Sequence, residues 1–260
     1  MINRLFLISS LCALTLGLLW PSSAFAQPSV LEQIIQTQPA LVDIKAELIG
    51  FYKSPRAQTV FDSNTGRFIQ LRNLKKATYA RKGAGIIIHD SGIIVTNGHI
   101  VDKANLIIAT LHNGQKVSAK LLFVINNLDI AYLKIEPPFA LQSVEIADSD
   151  MINLGQEILT VGSSPVLHQT ITGGQVIGLG TSRTLQKYGI NRTDLIQTSF
   201  NLYEGDSGGP LFDQKGRLIG LMTAKETASD HSSFAVPSNQ ILKYLYDYLK
   251  QSALSQEGHE

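Results

Sequence analysis

The chain has 260 residues, 44% of them apolar and 17% charged, enough for one large β domain or two small lobes around a buried core. Its formal net charge is +1, which leaves no electrostatic case for a nucleic acid or an anionic membrane as partner. The single cysteine, Cys12, lies in the first apolar run, so the remainder of the chain cannot form a disulfide and its stability has to come from packing.

The chain opens with the pattern of a secretory signal. Arg4 supplies the positive start, Leu5 to Trp20 the apolar stretch, and Ala24-Phe25-Ala26 a small-x-small cleavage site. This predicts removal of residues 1–26, Gln27 as the mature N-terminus, and a periplasmic or secreted protein with no membrane contact once the signal is gone. An uncleaved membrane anchor is the alternative; the apolar run is short for a bilayer and ends in a cleavage pattern. Leu11, before Cys12, is too large for the small-residue site of a lipoprotein. Val30, Leu31, Ile34 and Ile35 then follow a helical spacing, and residues 40–48 alternate apolar and polar as a strand does. Residues 50–82 are polar, with turn signals at Ser54-Pro55 and Asn64-Thr65-Gly66. Arg67, Arg72, Lys75, Lys76, Arg81 and Lys82 make this stretch basic, which predicts a solvated excursion with one hairpin around Phe68 to Leu71.

Further short strands follow at Ile86–Ile88, Ile93–Val95, Leu106–Leu111 and Gln115–Phe123, with Asn113-Gly114 as a hairpin turn. Leu133-Lys134-Ile135 ends a first lobe spanning about 40–136, and Glu136 to Asp150 connects to the second, with strand character at Val144 to Ile146. The second lobe, about 150–238, has strands at Ile158–Val161, Thr170–Gly173, Gln175–Leu179 and Leu195–Thr198. A polar stretch, residues 181–193, carries Arg183, Lys187 and Arg192. Ser238 caps a last helix with Ile241, Leu242, Leu245 and Leu249 on one face, and a polar tail completes residues 239–260. Many short strands and few helices predict an all-β chain of paired barrels.

Chemistry concentrates in Gly205-Asp206-Ser207-Gly208-Gly209-Pro210. A serine hydroxyl is a weak nucleophile and has to be held at a tight turn within reach of a base. Backbone N–H groups beside it must converge where a tetrahedral oxyanion forms, and small residues let a substrate carbonyl approach. Ser207 is therefore the candidate nucleophile, with the N–H groups of Gly205 and Ser207 as oxyanion donors. His99, in Thr96-Asn97-Gly98-His99-Ile100-Val101, stands at a strand end and is the candidate base. Asp129, at the start of Asp129-Ile130-Ala131-Tyr132-Leu133, is the candidate orienting carboxylate. The order His99, Asp129, Ser207 is that of the trypsin-like triad. His89, His112, His168 and His259 form no ligand-spaced cluster with cysteine or carboxylates, so no metal and no cofactor is expected.

These stretches resemble the HtrA/Deg family of trypsin-like serine proteases. Gly83-Ala84-Gly85 through Val101 is similar to that family's Gly-Ser-Gly…Leu-Thr-Asn-Asn-His-Val segment. Ile196-Gln197-Thr198, Leu218-Ile219-Gly220-Leu221-Met222-Thr223-Ala224 and Phe234-Ala235-Val236-Pro237-Ser238-Asn239 match its later strands. The resemblance runs from about Pro39 to Asn239. It implies a trypsin-like double β-barrel, two six-stranded antiparallel barrels with short N- and C-terminal helices, over residues 27–240. It implies a serine endopeptidase acting on unfolded or damaged proteins in protein quality control. It also implies a homotrimer assembled through the segment before the first barrel; a plain packed helix there is the alternative. It further implies a regulatory loop at 181–193, and at 50–82 a regulatory loop as the alternative to the plain solvated excursion. After residue 239 the expectation is one helix and a tail, without the PDZ domain that many members carry.

The resemblance also places the specificity pocket. Its base, six residues before the serine, is Asn201, and Met222, Thr223 and Ala224 line one wall. Without an aspartate at the base, a preference for Lys or Arg is not indicated; cleavage after small or medium aliphatic residues is expected. The chain departs from the family at Tyr203-Glu204-Gly205-Asp206-Ser207, where members have Asn-Pro-Gly-Asn-Ser. Asp206 follows the trypsin form, but no trypsin-like activation site supplies an N-terminal partner. Two arrangements remain open: Asp206 faces water in a resting state, or it pairs with Arg183, Lys187 or Arg192 in an active one. Glu204 adds negative charge that disfavours acidic substrates. A non-catalytic, chaperone-like or scaffold protein on the same fold is the competing class.

Overall fold

A computed structural model describes residues 29–53, 58–62, 66–71, 74–162, 170–180, 194–203, 205–225 and 232–257. The expected signal segment, the 181–193 stretch, Glu204, His168, His231 and His259 lie outside these residues. The first helix is α1 (Val30–Thr37), started by a capping box in which the Ser29 hydroxyl accepts the Glu32 N–H and the Glu32 carboxylate accepts the Ser29 N–H. A short 3-10 turn through Pro39 leads from it into the first strand.

The strands of the first lobe are β1 (Leu41–Lys53), β2 (Gln58–Asp62), β3 (Arg67–Leu71), β4 (Leu74–His89), β5 (Ile93–Asn97), β6 (Leu106–Leu111), β7 (Lys116–Ser118), β8 (Lys120–Ile125) and β9 (Ile130–Lys134). Seven of them form one antiparallel sheet in the order β7-β6-β1-β4-β5-β9-β8, and β2 and β3 make a separate hairpin. The expected hairpin around Phe68 to Leu71 is β3 with its partner β2, Phe61 facing Phe68. The long strand foreseen over Gln115–Phe123 divides at Ala119, whose N–H bonds the Ile107 carbonyl. That division leaves the sheet open. Its edge strands, β7 and β8, are consecutive in the chain, so the sheet curls back on itself without a ladder between its edges. The lobe is thus a curled seven-stranded sheet where the resemblance implied a six-stranded barrel.

The second lobe is a closed barrel of six strands, as expected: β10 (Glu157–Gly162), β11 (Thr170–Leu179), β12 (Ile196–Thr198), β13 (Pro210–Phe212), β14 (Leu218–Lys225) and β15 (Ser233–Pro237), in the order β10-β11-β12-β15-β14-β13. Closure removes the edges that an open sheet exposes. Strand β11 runs unbroken through Gly173-Gly174, where two separate strands were foreseen. The expected strand at Val144–Ile146 is a single parallel bridge from Ile146 to Leu218.

The last helix, α3 (Ser238–Glu257), ties the lobes together. Its Ile241 and Leu245 enter a core cluster that contains first-lobe residues Ile94 and Leu133 and second-lobe residues Phe212 and Phe234. The buried Tyr132 hydroxyl on β9 donates to the Ile241 carbonyl at 2.6 Å. Phe123 is sandwiched between Tyr132 and Tyr248, with ring centroids 4.3 and 4.4 Å apart; each such pair contributes about 0.5–1.5 kcal/mol beyond area burial. At the start of the helix, the Ser238 hydroxyl donates to the Ala147 carbonyl and the Asn239 amide to the Asp148 carboxylate. Strand β9 is consequently buried on both faces from Ile130 to Leu133, which is why it shows an apolar run where a half-exposed strand would alternate.

Candidate active site

Strand β5 ends at Asn97 and the chain turns through a four-residue helix, α2 (Gly98–Val101), which carries His99. A 3-10 turn at Asn126–Leu128 ends on Asp129, which takes the left-handed conformation, φ +54° and ψ +40°. Aspartate tolerates that region better than most residues. The Asp129 carbonyl is held from both sides of the helix start, by the Asn97 amide at 3.0 Å and by the Gly98 N–H at 3.0 Å. Its carboxylate is thereby aimed at the histidine. Oδ1 accepts the His99 main-chain N–H at 2.8 Å, and Oδ2 lies 2.7 Å from the ring Nδ1. A carboxylate only accepts, so Nδ1 carries the hydrogen and Nε2 is left as the basic nitrogen. The two side chains are 52% and 31% exposed, open enough for a substrate to reach the ring.

Ser207 sits in a turn between Leu202 and β13. The turn is closed by the Asp206 N–H to the Tyr203 carbonyl at 3.0 Å and the Gly209 N–H to the Asp206 carbonyl at 2.9 Å. Gly205 and Gly208 both have positive φ, +102° and +80°. Two bonds, Gly208 N–H to Met222 carbonyl and Met222 N–H to Gly209 carbonyl, each 2.9 Å, hold the turn to β14. A third crosses to the other lobe, where the Ala84 N–H on β4 donates to the Ser207 carbonyl at 2.9 Å. The buried Thr96 hydroxyl donates to the Ala84 carbonyl at 2.6 Å, so Ala84 is fixed at both ends. Gly208 is pressed into this seam so closely that a Cβ there would overlap the Ala84 carbonyl and the Thr96 hydroxyl and lie 3.2 Å from the Asn97 nitrogen. The residue after Ser207 therefore abuts the chain two residues before His99.

Asp206 is 9% exposed, so of the two arrangements left open the water-facing one is not found. Its Oδ2 accepts the Tyr203 N–H at 2.8 Å. The carboxyl group fills the space beside Gly162, where any Cβ would collide with it. Burial pushes its pKa up, and the Tyr203 N–H opposes the rise. No described residue forms an ion pair with it, and Arg183, Lys187 and Arg192 lie outside the described residues.

The three residues expected in the pocket wall have different surroundings. Met222 is fully buried within the second barrel, among Leu211, Ile219 and Ala235, and its side chain lines no open pocket. A register shift in β14 between Met222 and Ala224 follows directly after it, which alternation along the sequence does not reveal. Thr223, at that shift, donates its hydroxyl to Asp129 Oδ2 at 2.9 Å. Thr223, expected in the specificity wall, is thus also a hydrogen-bond partner of the candidate orienting carboxylate. Asn201 is half-buried between the buried Phe200 and Leu202, beside the Ser207 turn, and Ala224 is described through its backbone alone, opposite Phe234 on β15. Sequence reasoning also passed over Ala84 and Thr96. The signal for Thr96 was a polar residue ending an otherwise apolar run, Ile93-Ile94-Val95.

Residues 83–221 match the trypsin-like peptidase domain family. Serine protease HTR4 of Rattus norvegicus is 36% identical over 168 residues, 64% of this chain and 34% of that protein. The probable periplasmic serine protease do/HhoA-like of Haemophilus influenzae is 32% identical over 240 residues, 85% of this chain and 50% of that one. The periplasmic pH-dependent serine endoprotease DegQ of Escherichia coli is 36% identical over 190 residues, 68% and 40% of the two chains. The chain thus spans between a third and a half of the length of these relatives. Among solved structures, the HtrA-type protease AlgW with decapeptide superposes with a TM-score of 0.66 at 27% identity, covering 86% of this chain and 68% of that one.

Proposed function

The chain belongs to the HtrA family of trypsin-like serine proteases, and from that premise we propose that it is an endopeptidase that cuts unfolded or damaged proteins through Ser207, His99 and Asp129. His99 Nε2 takes the Ser207 proton as Oγ attacks the peptide carbonyl. Asp129 keeps the ring in the required tautomer and stabilises it once charged. The N–H groups of Gly205 and Ser207 receive the oxyanion, and loss of one such donor raises the barrier by about 3 kcal/mol. His99 then protonates the leaving amine, and water, activated by the same ring, hydrolyses the acyl-enzyme. The observation that carries this reading is the seam: Gly208 packs against Asn97 while Asp129 grips His99, so the nucleophile turn and the base turn share one contact surface.

The substrate enters as a strand. Strand β13 covers β14 only as far as Leu221, and Gly208–Gly209 continue the pairing to Met222. Beyond that point the Thr223–Lys225 edge has no described strand on the Ser207 side and is available for main-chain pairing with a peptide. Asn201 forms the base of the side-chain pocket, which favours small or medium aliphatic residues. The enzyme acts in the periplasm or outside the cell after loss of residues 1–26, as a homotrimer; two of the relatives above are named as periplasmic, and no described helix is long and apolar enough to cross a membrane.

Hydrolysis of casein by the wild type, with Ser207→Ala and His99→Ala beside it, tests the proposal. Both variants are expected to lose cleavage while keeping the wild-type melting temperature. Full cleavage by either one overturns the assignment, and cleavage by neither variant nor wild type favours the chaperone-like alternative.

A further inference from the structure

Arg81 lies on β4 opposite Ala46 of β1, where the ribbon made by these two strands enters the body of the first lobe. The sequence counted it among the basic residues of a solvated stretch. Its side chain instead turns onto α2: Nη1 donates to the His99 carbonyl at 2.7 Å and lies 3.3 Å from the Asp102 carbonyl. A helix of four residues leaves nearly all of its carbonyls without helical partners. The Gly98 carbonyl is satisfied by the Asp102 N–H at 2.8 Å. The His99 carbonyl, next in line, is satisfied by the guanidinium, whose single Nη1 has a hydrogen for each of its two acceptors.

His99 is thereby gripped at three points. Its N–H is held by Asp129 Oδ1, its ring by Asp129 Oδ2, and its carbonyl by Arg81. The first two grips come from one carboxylate and do not touch the peptide that follows His99; the helical bond from the Asp102 N–H to the Gly98 carbonyl spans that peptide without touching its oxygen. The third grip holds that oxygen directly. We infer that Arg81 is a positioning residue for the hydrolytic reaction, fixing the His99 peptide so that Nε2 stays directed at Ser207. The inference rests on the reading of His99 as general base. Because Arg81 is only half-buried and, among the described residues, bonds no core side chain, it acts on the geometry of the turn more than on the stability of the fold.

The test uses the full chain with Arg81→Ala and Arg81→Lys, and His99→Ala as control. Three quantities are read: kcat and KM on a peptide substrate, the rate of Ser207 labelling by a fluorophosphonate, and the melting temperature. Arg81→Ala is expected to lower kcat about 10- to 100-fold, the scale of a small misplacement of a reacting group. KM should stay within about twofold, and labelling should slow by the same factor as kcat, because both need Nε2 aimed at the hydroxyl. Arg81→Lys, whose ammonium can still donate to a carbonyl but on a differently shaped stem, should recover part of the loss, and added guanidinium should rescue Arg81→Ala. Wild-type kcat in Arg81→Ala, or a loss that follows the melting temperature without slowing labelling of the folded protein, overturns this inference alone. Full activity in His99→Ala overturns the proposed function and this inference with it. If Arg81→Ala fails to fold, Arg81→Met, which keeps the bulk of the stem but cannot donate, decides: unchanged kcat and labelling rate refute the positioning role.

Discussion

The main-chain N–H of Ala84 donates to the carbonyl of Ser207 across the boundary between the two lobes, at 2.9 Å. Neither residue contributes a side chain to the bond, yet it is where the strand that leads towards β5 and His99 meets the turn of the candidate nucleophile. Thr96 stands behind it, its hydroxyl on the Ala84 carbonyl.

Thr96→Val keeps the shape of that side chain and leaves the Ala84 carbonyl buried without its donor. The expected cost is about 1–3 kcal/mol of stability, the penalty of an unsatisfied buried acceptor. Chemical denaturation measures it, and Thr96→Ser, which restores the hydroxyl, should lie close to the wild type. Equal stability of the valine and serine variants would show that the hydroxyl does not brace the seam.

Asp206 sets a pH dependence whose sign follows from its surroundings. Burial raises its folded-state pKa above the ordinary 3.8. Between those two values the folded state holds more protons than the unfolded one, so stability falls as pH rises through the window. Above it the charged, buried carboxylate remains a constant burden. Asp206→Asn removes that burden and can keep the bond from the Tyr203 N–H through its amide oxygen. The asparagine variant should melt higher than the wild type at pH 7, with the difference vanishing below about pH 3.8. Parallel melting curves at all pH values would mean that a cation outside the described residues already neutralises the group.

Thr223 separates two roles that a sequence cannot distinguish. As a partner of Asp129 it should affect the rate; as a pocket wall it should affect selectivity. Thr223→Val is expected to lower kcat about tenfold, consistent with loss of one hydrogen bond to a charged group, while KM and the ranking of substrates by cleaved residue stay as they are. Thr223→Ser should retain activity. A changed cleavage preference at undiminished kcat would return Thr223 to the pocket.

How much of this was legible beforehand differs from one part to another. The strands up to Thr198 followed from the spacing of apolar runs and turn signals, whereas the later strands that close the second barrel, and the pairing of Asp129 with His99, were expected from the family resemblance and the order of its motifs. The bond from Thr223 to Asp129 joins residues 94 positions apart and depends on a register shift in β14. Met222 lies in a stretch, residues 218–222, that is buried throughout, so no alternation in the sequence marks its face. The Ala84–Ser207 bond is main chain to main chain and leaves no mark on residue type except the small residues flanking it. Gly173-Gly174 misled in the opposite direction: glycine usually punctuates a strand, but here β11 continues through both.

The clamp formed by Tyr132, Phe123 and Tyr248 has a temporal consequence. Synthesis proceeds from the N-terminus, and a nascent chain that has exposed Asp129 and even Ser207 still lacks Ile241 and Tyr248, which lock β9 in place. The strand that follows Asp129 is therefore locked only after His99, Asp129 and Ser207 have all been made, by a segment that emerges later than any of them. On the proposed function, docking of that helix acts as a closing latch on the cleavage centre.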